Sequence, residues 1–103
     1  DAGFERKKFN LMKAVQTAFE QYYSFNGAYA ASCATMTSAG GQVTLPIGLP
    51  VDPKSPTTSY TYTCTTSTYC ACAPLENETG NSTSTGCAYA ASGGTYFCVS
   101  QLQ

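Results

Sequence analysis

The spacing of apolar and polar positions divides the chain into three stretches. From Phe4 onward apolar residues recur at helical intervals: Leu11, Val15, Ala18, Phe19 and Tyr22 share one face, and Phe9 and Met12 widen the stripe. No Gly or Pro falls between Gly3 and Gly27, and Glu, Arg, Lys, Leu, Met, Ala and Gln dominate the interval. This predicts a helix over residues 4–25 that packs on the rest of the domain through Leu11, Val15, Phe19 and Tyr22. About 22 residues rising about 1.5 Å each make a rod of roughly 33 Å. That is long for a chain of this size, so its first turns are expected to project beyond the core. Asn26-Gly27 supplies the stop, with Gly27 suited to the left-handed position past the last turn.

Residues 26–58 show no sustained period. They hold Pro46, Pro50, Pro53, Pro56 and the Gly40-Gly41 pair, and read as a long ordered connection with a short helix or turn near Ala34 to Ser38. From residue 59 to 100 the period becomes two. Tyr60, Tyr62 and Cys64 alternate with Thr, and Tyr69, Ala71, Ala73 and Leu75 alternate with Cys70 and Cys72. Thr66-Ser67 between these runs predicts a hairpin, and Thr95 to Ser100 a further strand after the Gly93-Gly94 turn. Glu76 to Gly86 reads as a polar loop. The sum is an α+β domain of 103 residues: one long helix on an antiparallel sheet of three or four strands.

Composition narrows the setting. Net charge is −1 and only 11% of residues are charged, which gives no electrostatic hold on nucleic acid. Arg6, Lys7, Lys8 and Lys13 concentrate the basic charge in the helix. Six cysteines without a histidine fit a disulfide framework in an oxidising compartment better than a metal site, because no C-x2-C pair is present. Fifteen connectivities are possible. Cys87 with Cys98 is the favoured pair, closing the loop around Gly93-Gly94. Cys70 and Cys72 share a strand face and are expected to reach Cys33 and Cys64 in some order. Asn77-Glu78-Thr79 and Asn81-Ser82-Thr83 are glycosylation sequons that at least mark an exposed polar loop. No apolar run is long enough for a membrane span and no signal peptide is present, so an N-terminal targeting segment is expected upstream of Asp1.

Arg6 to Ala30 (RKKFNLMKAVQTAFEQYYSFNGAYA) resembles the second half of the N-terminal helix of type IV pilins and type II secretion pseudopilins, especially G-type major pseudopilins. Ala18-Phe19, Tyr22-Tyr23, Asn26-Gly27 and Tyr29 stand at the positions of that family's helix-closing pattern, with Ala30 where proline is usual. Leu49-Pro50-Val51-Asp52-Pro53 resembles its L-P-x-D-P turn, Tyr60-Thr61-Tyr62 its Y-x-Y strand, and Tyr69 to Glu76 the strand that follows. The resemblance spans residues 4–76. It departs in lacking a Trp and any Asp after Asp52, which leaves Glu76, Asn77, Glu78 and Asn81 as the only candidates for a calcium loop. Disulfides are expected to staple that region instead, with no metal or cofactor.

What the resemblance implies is a structural subunit of an extracellular or periplasmic filament, a homo-oligomer assembling through an apolar helical segment upstream of Asp1, with other pilins or pseudopilins as further partners. Membrane contact would come through that segment alone. The Arg6-Lys7-Lys8 turn would mark where the helix leaves the apolar filament axis. The alternative is a secreted disulfide-rich module that binds carbohydrate or protein. An enzyme is the weakest reading: no base partners a Ser, Thr or Cys nucleophile.

Overall fold

The computed structural model describes residues 2–37, 43–77 and 79–103. Asp1, Ser38, the Gly40-Gly41 pair and Glu78 lie outside the described residues. The order of elements is helix α1 (Ala2–Asn26), a short 3-10 helix (Cys33–Thr37), and strands β1 (Thr61–Cys64), β2 (Tyr69–Pro74) and β3 (Tyr96–Ser100). The three strands form one antiparallel sheet with β2 in the centre. The fold is α+β, one long helix on this sheet with three disulfides.

The buried face of α1 is Glu5, Lys8, Met12, Val15 and Phe19, with Ala18 beside them. Steps of three and four keep these residues in one line along the helix. Met12, Val15 and Phe19 pack against Tyr69, Ala71, Ala73 and Val99 of the sheet. Leu11 and Tyr22 lie half-buried at the margins of the line. Gly27 ends the helix with φ 71°, and its N–H donates to the Tyr23 carbonyl at 2.8 Å. At about 1.5 Å per residue the 25 residues span roughly 37 Å, against a longest molecular dimension of 39 Å. The expectation that the first turns project beyond the core is overturned: Glu5 is 2% exposed and Lys8 0%. Their charges hid them, because a carboxylate and an ammonium read as solvent-facing until partners for both are seen.

Alternation along the strands assigns side chains to the two faces of the sheet. Tyr62 of β1, Tyr69, Ala71 and Ala73 of β2, and Phe97 and Val99 of β3 pack on the helix side, and Cys64 lies with them. Cys70, Cys72 and Cys98 occupy the opposite face. Residues 80–90 curl along the free edge of β3. Asn81 and Ser82 each donate a backbone N–H to the Tyr96 carbonyl, and Tyr96 N–H donates to the Ser82 carbonyl at 3.2 Å. The Asn81 side chain does the rest: its amide donates to the Cys98 carbonyl at 2.9 Å and accepts the Cys98 N–H at 2.8 Å. The stretch read as a polar loop is thus an edge cover, which removes a row of unpaired backbone groups. Gly80 and Gly94 permit it, since a Cβ on either would collide with the Tyr96 or the Ser82 carbonyl oxygen.

Candidate functional site

Chemistry-bearing side chains converge at three places, each where α1 or the sheet meets a loop. The first joins the start of α1 to two distant segments. The Lys8 ammonium donates to the Pro74 carbonyl at 2.7 Å and lies 3.6 Å from Asp52 Oδ2 and 3.9 Å from Glu5 Oε2. Glu5 Oε1 accepts the backbone N–H groups of Glu76 and Asn77. Asp52 accepts the Lys54 N–H at 2.8 Å and the Thr58 hydroxyl at 2.7 Å. An ammonium, two carboxylates and their amide and hydroxyl partners therefore form a closed group around a buried cation, the arrangement that a buried charge requires. Around its rim Lys54 pairs with Glu76 at 3.1 Å and lies 5.3 Å from the Phe4 ring centroid. Arg6 and Lys7 are exposed. The three-residue basic turn is therefore split: Lys8 faces inward and only its two neighbours face water. Asp52 thus both accepts an amide of its own turn and reaches the helix.

The second place ties α1 to the aromatic core and the C-terminal tail. Glu20 accepts the Tyr69 hydroxyl at 2.8 Å, the Tyr29 hydroxyl at 2.9 Å and the Leu102 N–H at 3.2 Å. Phe19 stacks on Tyr69 at 3.8 Å with nearly parallel rings, and Tyr29 meets Tyr69 edge-on at 5.0 Å. Burial, then the Glu20 carboxylate, pushes the Tyr69 phenol well above its ordinary range. Burial also raises Tyr29, partly offset by the Gln103 N–H that it accepts. Burial raises Tyr60 and Tyr62, with Asp52 adding to the shift at Tyr60. The Tyr62 hydroxyl donates to the Pro50 carbonyl at 2.7 Å, joining the strand of the Tyr-x-Tyr motif to the Leu-Pro-x-Asp-Pro turn.

The third place is the cysteine face of the sheet, and here the expected pairing is corrected. Cys87 does not bond Cys98. The disulfides are Cys33–Cys64, Cys70–Cys87 and Cys72–Cys98. Cys72 and Cys98 are directly opposed in the β2–β3 register, with Cα atoms 4.1 Å apart, so Cys98 is taken by its cross-strand neighbour. The edge cover then lays Cys87, at φ 57°, over Cys70. Cys33 and Cys64 cannot serve Cys70 and Cys72, because Cys64 faces the helix while those two face away from it. They bond each other instead and clamp the 3-10 helix to β1. The four sulfurs of Cys70, Cys72, Cys87 and Cys98 all lie within 4.8 Å of one another, and this is the one grouping of three or more potential metal-ligating side chains among the described residues. Of the calcium candidates, Glu76 is held by Lys54 and the Asn81 amide by Cys98, while Glu78 lies outside the described residues. The Asn81 side-chain amide is turned onto the Cys98 backbone, whereas Asn77 is exposed.

A shallow apolar recess of about 400 Å³ lies between Leu11 and the segment Leu45 to Val51, where Ile47 is fully exposed. Sequence patterning does not find it, because it arises only when the connection folds back on α1. Among the described residues no helix is long and apolar enough to cross a membrane, and the disulfides suit an oxidising extracellular or periplasmic environment. Comparison with family models, with curated proteins and with solved structures finds no match to this chain.

Proposed function

We propose that this chain is the head of a pilin or pseudopilin, a structural subunit of an extracellular or periplasmic filament, whose work is assembly rather than chemistry. The observation that supports this best is the way α1 is held. Strands of four to six residues need only part of a 25-residue helix to cover them. The remaining N-terminal turns are secured by a dedicated buried ion cluster, in which Lys8 of the helix meets Asp52 of the Leu-Pro-Val-Asp-Pro turn. A helix fixed to its first turns can transmit load between the head and any helical segment joined to it, while a frayed one cannot. Two of the stretches that carry the family resemblance, the helix and the Leu-Pro-Val-Asp-Pro turn, thereby acquire a common physical purpose.

The gene upstream of Asp1 tests this reading. A leader ending in Gly, followed by an apolar stretch that begins Phe-x-x-x-Glu and runs in helical register into Ala2, is the expected result. Antibodies to the head should then decorate filaments sheared from the cell surface or accumulated in the periplasm. An ordinary signal peptide cleaved just before Asp1, with the protein recovered as a soluble monomer, overturns it and favours the secreted binding module.

A further inference from the structure

We propose that Cys70, Cys72, Cys87 and Cys98 constitute a four-thiolate site for one thiophilic divalent cation, zinc being the natural choice, and that the disulfides Cys70–Cys87 and Cys72–Cys98 are the oxidised, ion-free state of the same site. The inference goes beyond the filament reading and does not depend on it.

The geometry is that of a site rather than of four scattered thiols. Cys70 and Cys72 project from one face of β2, Cys98 stands opposite Cys72 on β3, and Cys87 is brought over them by a left-handed backbone turn. The sulfurs of Cys70 and Cys72, which are not bonded to each other, are 3.5 Å apart, and all four fall within 4.8 Å. A tetrahedral zinc–thiolate centre, with bonds of about 2.3 Å, places its sulfurs roughly 3.8 Å apart. Opening the two disulfides therefore requires only small movements to reach that figure. Cys72 and Cys98 are buried, while a recess of about 320 Å³ opens on Cys70 and Cys87 and gives a reductant or an ion a way in. Carbonyl oxygens already face the sulfurs: Thr85 O lies 3.3 Å from Cys72 Sγ, Ser84 O 3.6 Å from Cys98 Sγ and Val99 O 3.5 Å from Cys87 Sγ. Each can accept an S–H in the uncharged dithiol state. All-sulfur donors with no carboxylate select a soft cation over calcium or magnesium.

The chemistry balances. Two equivalents of a dithiol reductant deliver four electrons and four protons, cleave two S–S bonds and leave four S–H groups and two oxidised reductant disulfides. Cation binding forms four metal–sulfur bonds and releases the four protons. In reverse, two equivalents of a small-molecule disulfide accept the four electrons and, with four protons from water, leave as two dithiols, while the two S–S bonds re-form and the divalent ion is released.

The test is an anaerobic titration of the fully reduced chain with cobalt(II), followed by displacement with zinc(II). The expected result is one equivalent bound with the intense visible bands of tetrahedral cobalt thiolate, lost on adding zinc. The near-ultraviolet circular dichroism that reduction weakens should return with the ion. A Cys33→Ser/Cys64→Ser chain should bind as the parent does, because that pair lies on the other face of the sheet. A Cys72→Ser/Cys98→Ser chain should lose the one-to-one tetrahedral signal. Absence of those bands in the parent overturns the proposal. So does equal binding by the two double variants, which would mean capture by an unfolded thiol-rich chain, and so does binding that restores no tertiary signal.

Discussion

An ammonium group removed from water forfeits hydration worth several kcal/mol, and only close, well-placed anions and carbonyls return it. Lys8 meets that condition with Glu5, Asp52 and the Pro74 carbonyl. The consequence is asymmetric. Removing the lysine alone, as in Lys8→Met, takes the Lys8 ammonium from two buried carboxylates and should cost about 3–5 kcal/mol. A triple variant that also neutralises the acids (Glu5→Gln, Asp52→Asn) should recover much of the loss. Urea midpoints of the three chains measure both effects, and a Lys8→Met chain as stable as the parent would deny the cluster its structural role. Asn81 presents a smaller case of the same logic. Its side chain replaces a strand at the edge of β3, and Asn81→Ala strips the Cys98 N–H and carbonyl of their partners. The expected loss is about 1–3 kcal/mol, read as a lowered urea midpoint together with faster amide exchange at Cys98.

Among the elements, the helix was legible and the sheet's register was not. A 3.6-residue period over more than twenty positions, closed by Asn26-Gly27, leaves little doubt about a helix, and the ends fall within two residues of the expectation. Its buried line was misplaced at the N-terminal end because Glu5 and Lys8 continue the spacing of Met12, Val15 and Phe19 in charged form. Strands were legible as alternation, but alternation says nothing about which residue of β2 faces which of β3. That register, Cys72 against Cys98, decided the disulfides, and proximity in sequence pointed instead to Cys87. The candidate site was hidden for a related reason, since the four sulfurs meet only once the edge cover has folded over β2. The disulfide on the helix side closes a loop of 31 residues. In the loop-entropy model this stabilises by about 3–4 kcal/mol. Cys33→Ser/Cys64→Ser should lose about that amount in a denaturant titration, with the 3-10 helix the first segment to exchange its amides.

At the scale of the whole molecule, phenols sit at the joints between elements: Tyr69 and Tyr29 buried between helix, sheet and tail, Tyr60 and Tyr62 half-buried between sheet and connection. Burial raises all four above the ordinary phenol value of about 10. The sign of the resulting pH dependence follows from which state holds the proton. Above pH 10 an unfolded chain releases these protons while the folded chain retains them, so the unfolded state is favoured as pH rises. Their contribution is complete below pH 10 and is lost progressively through the range between the unfolded and the raised folded values. Each phenol that stays protonated in the fold removes about 1.4 kcal/mol per pH unit in that range. The chain should therefore be indifferent to pH from 7 to 9 in this respect and lose stability as pH rises above 10. Phenolate absorbance and near-ultraviolet circular dichroism, followed together from pH 8 to 12, check this: a cooperative step in absorbance should coincide with loss of the tertiary signal. Tyr69→Phe removes one of these protons and should make the decline of the urea midpoint above pH 10 shallower. A smooth phenolate titration with the tertiary signal intact would show that these rings are open to solvent and that the helix, sheet and tail are not joined through them.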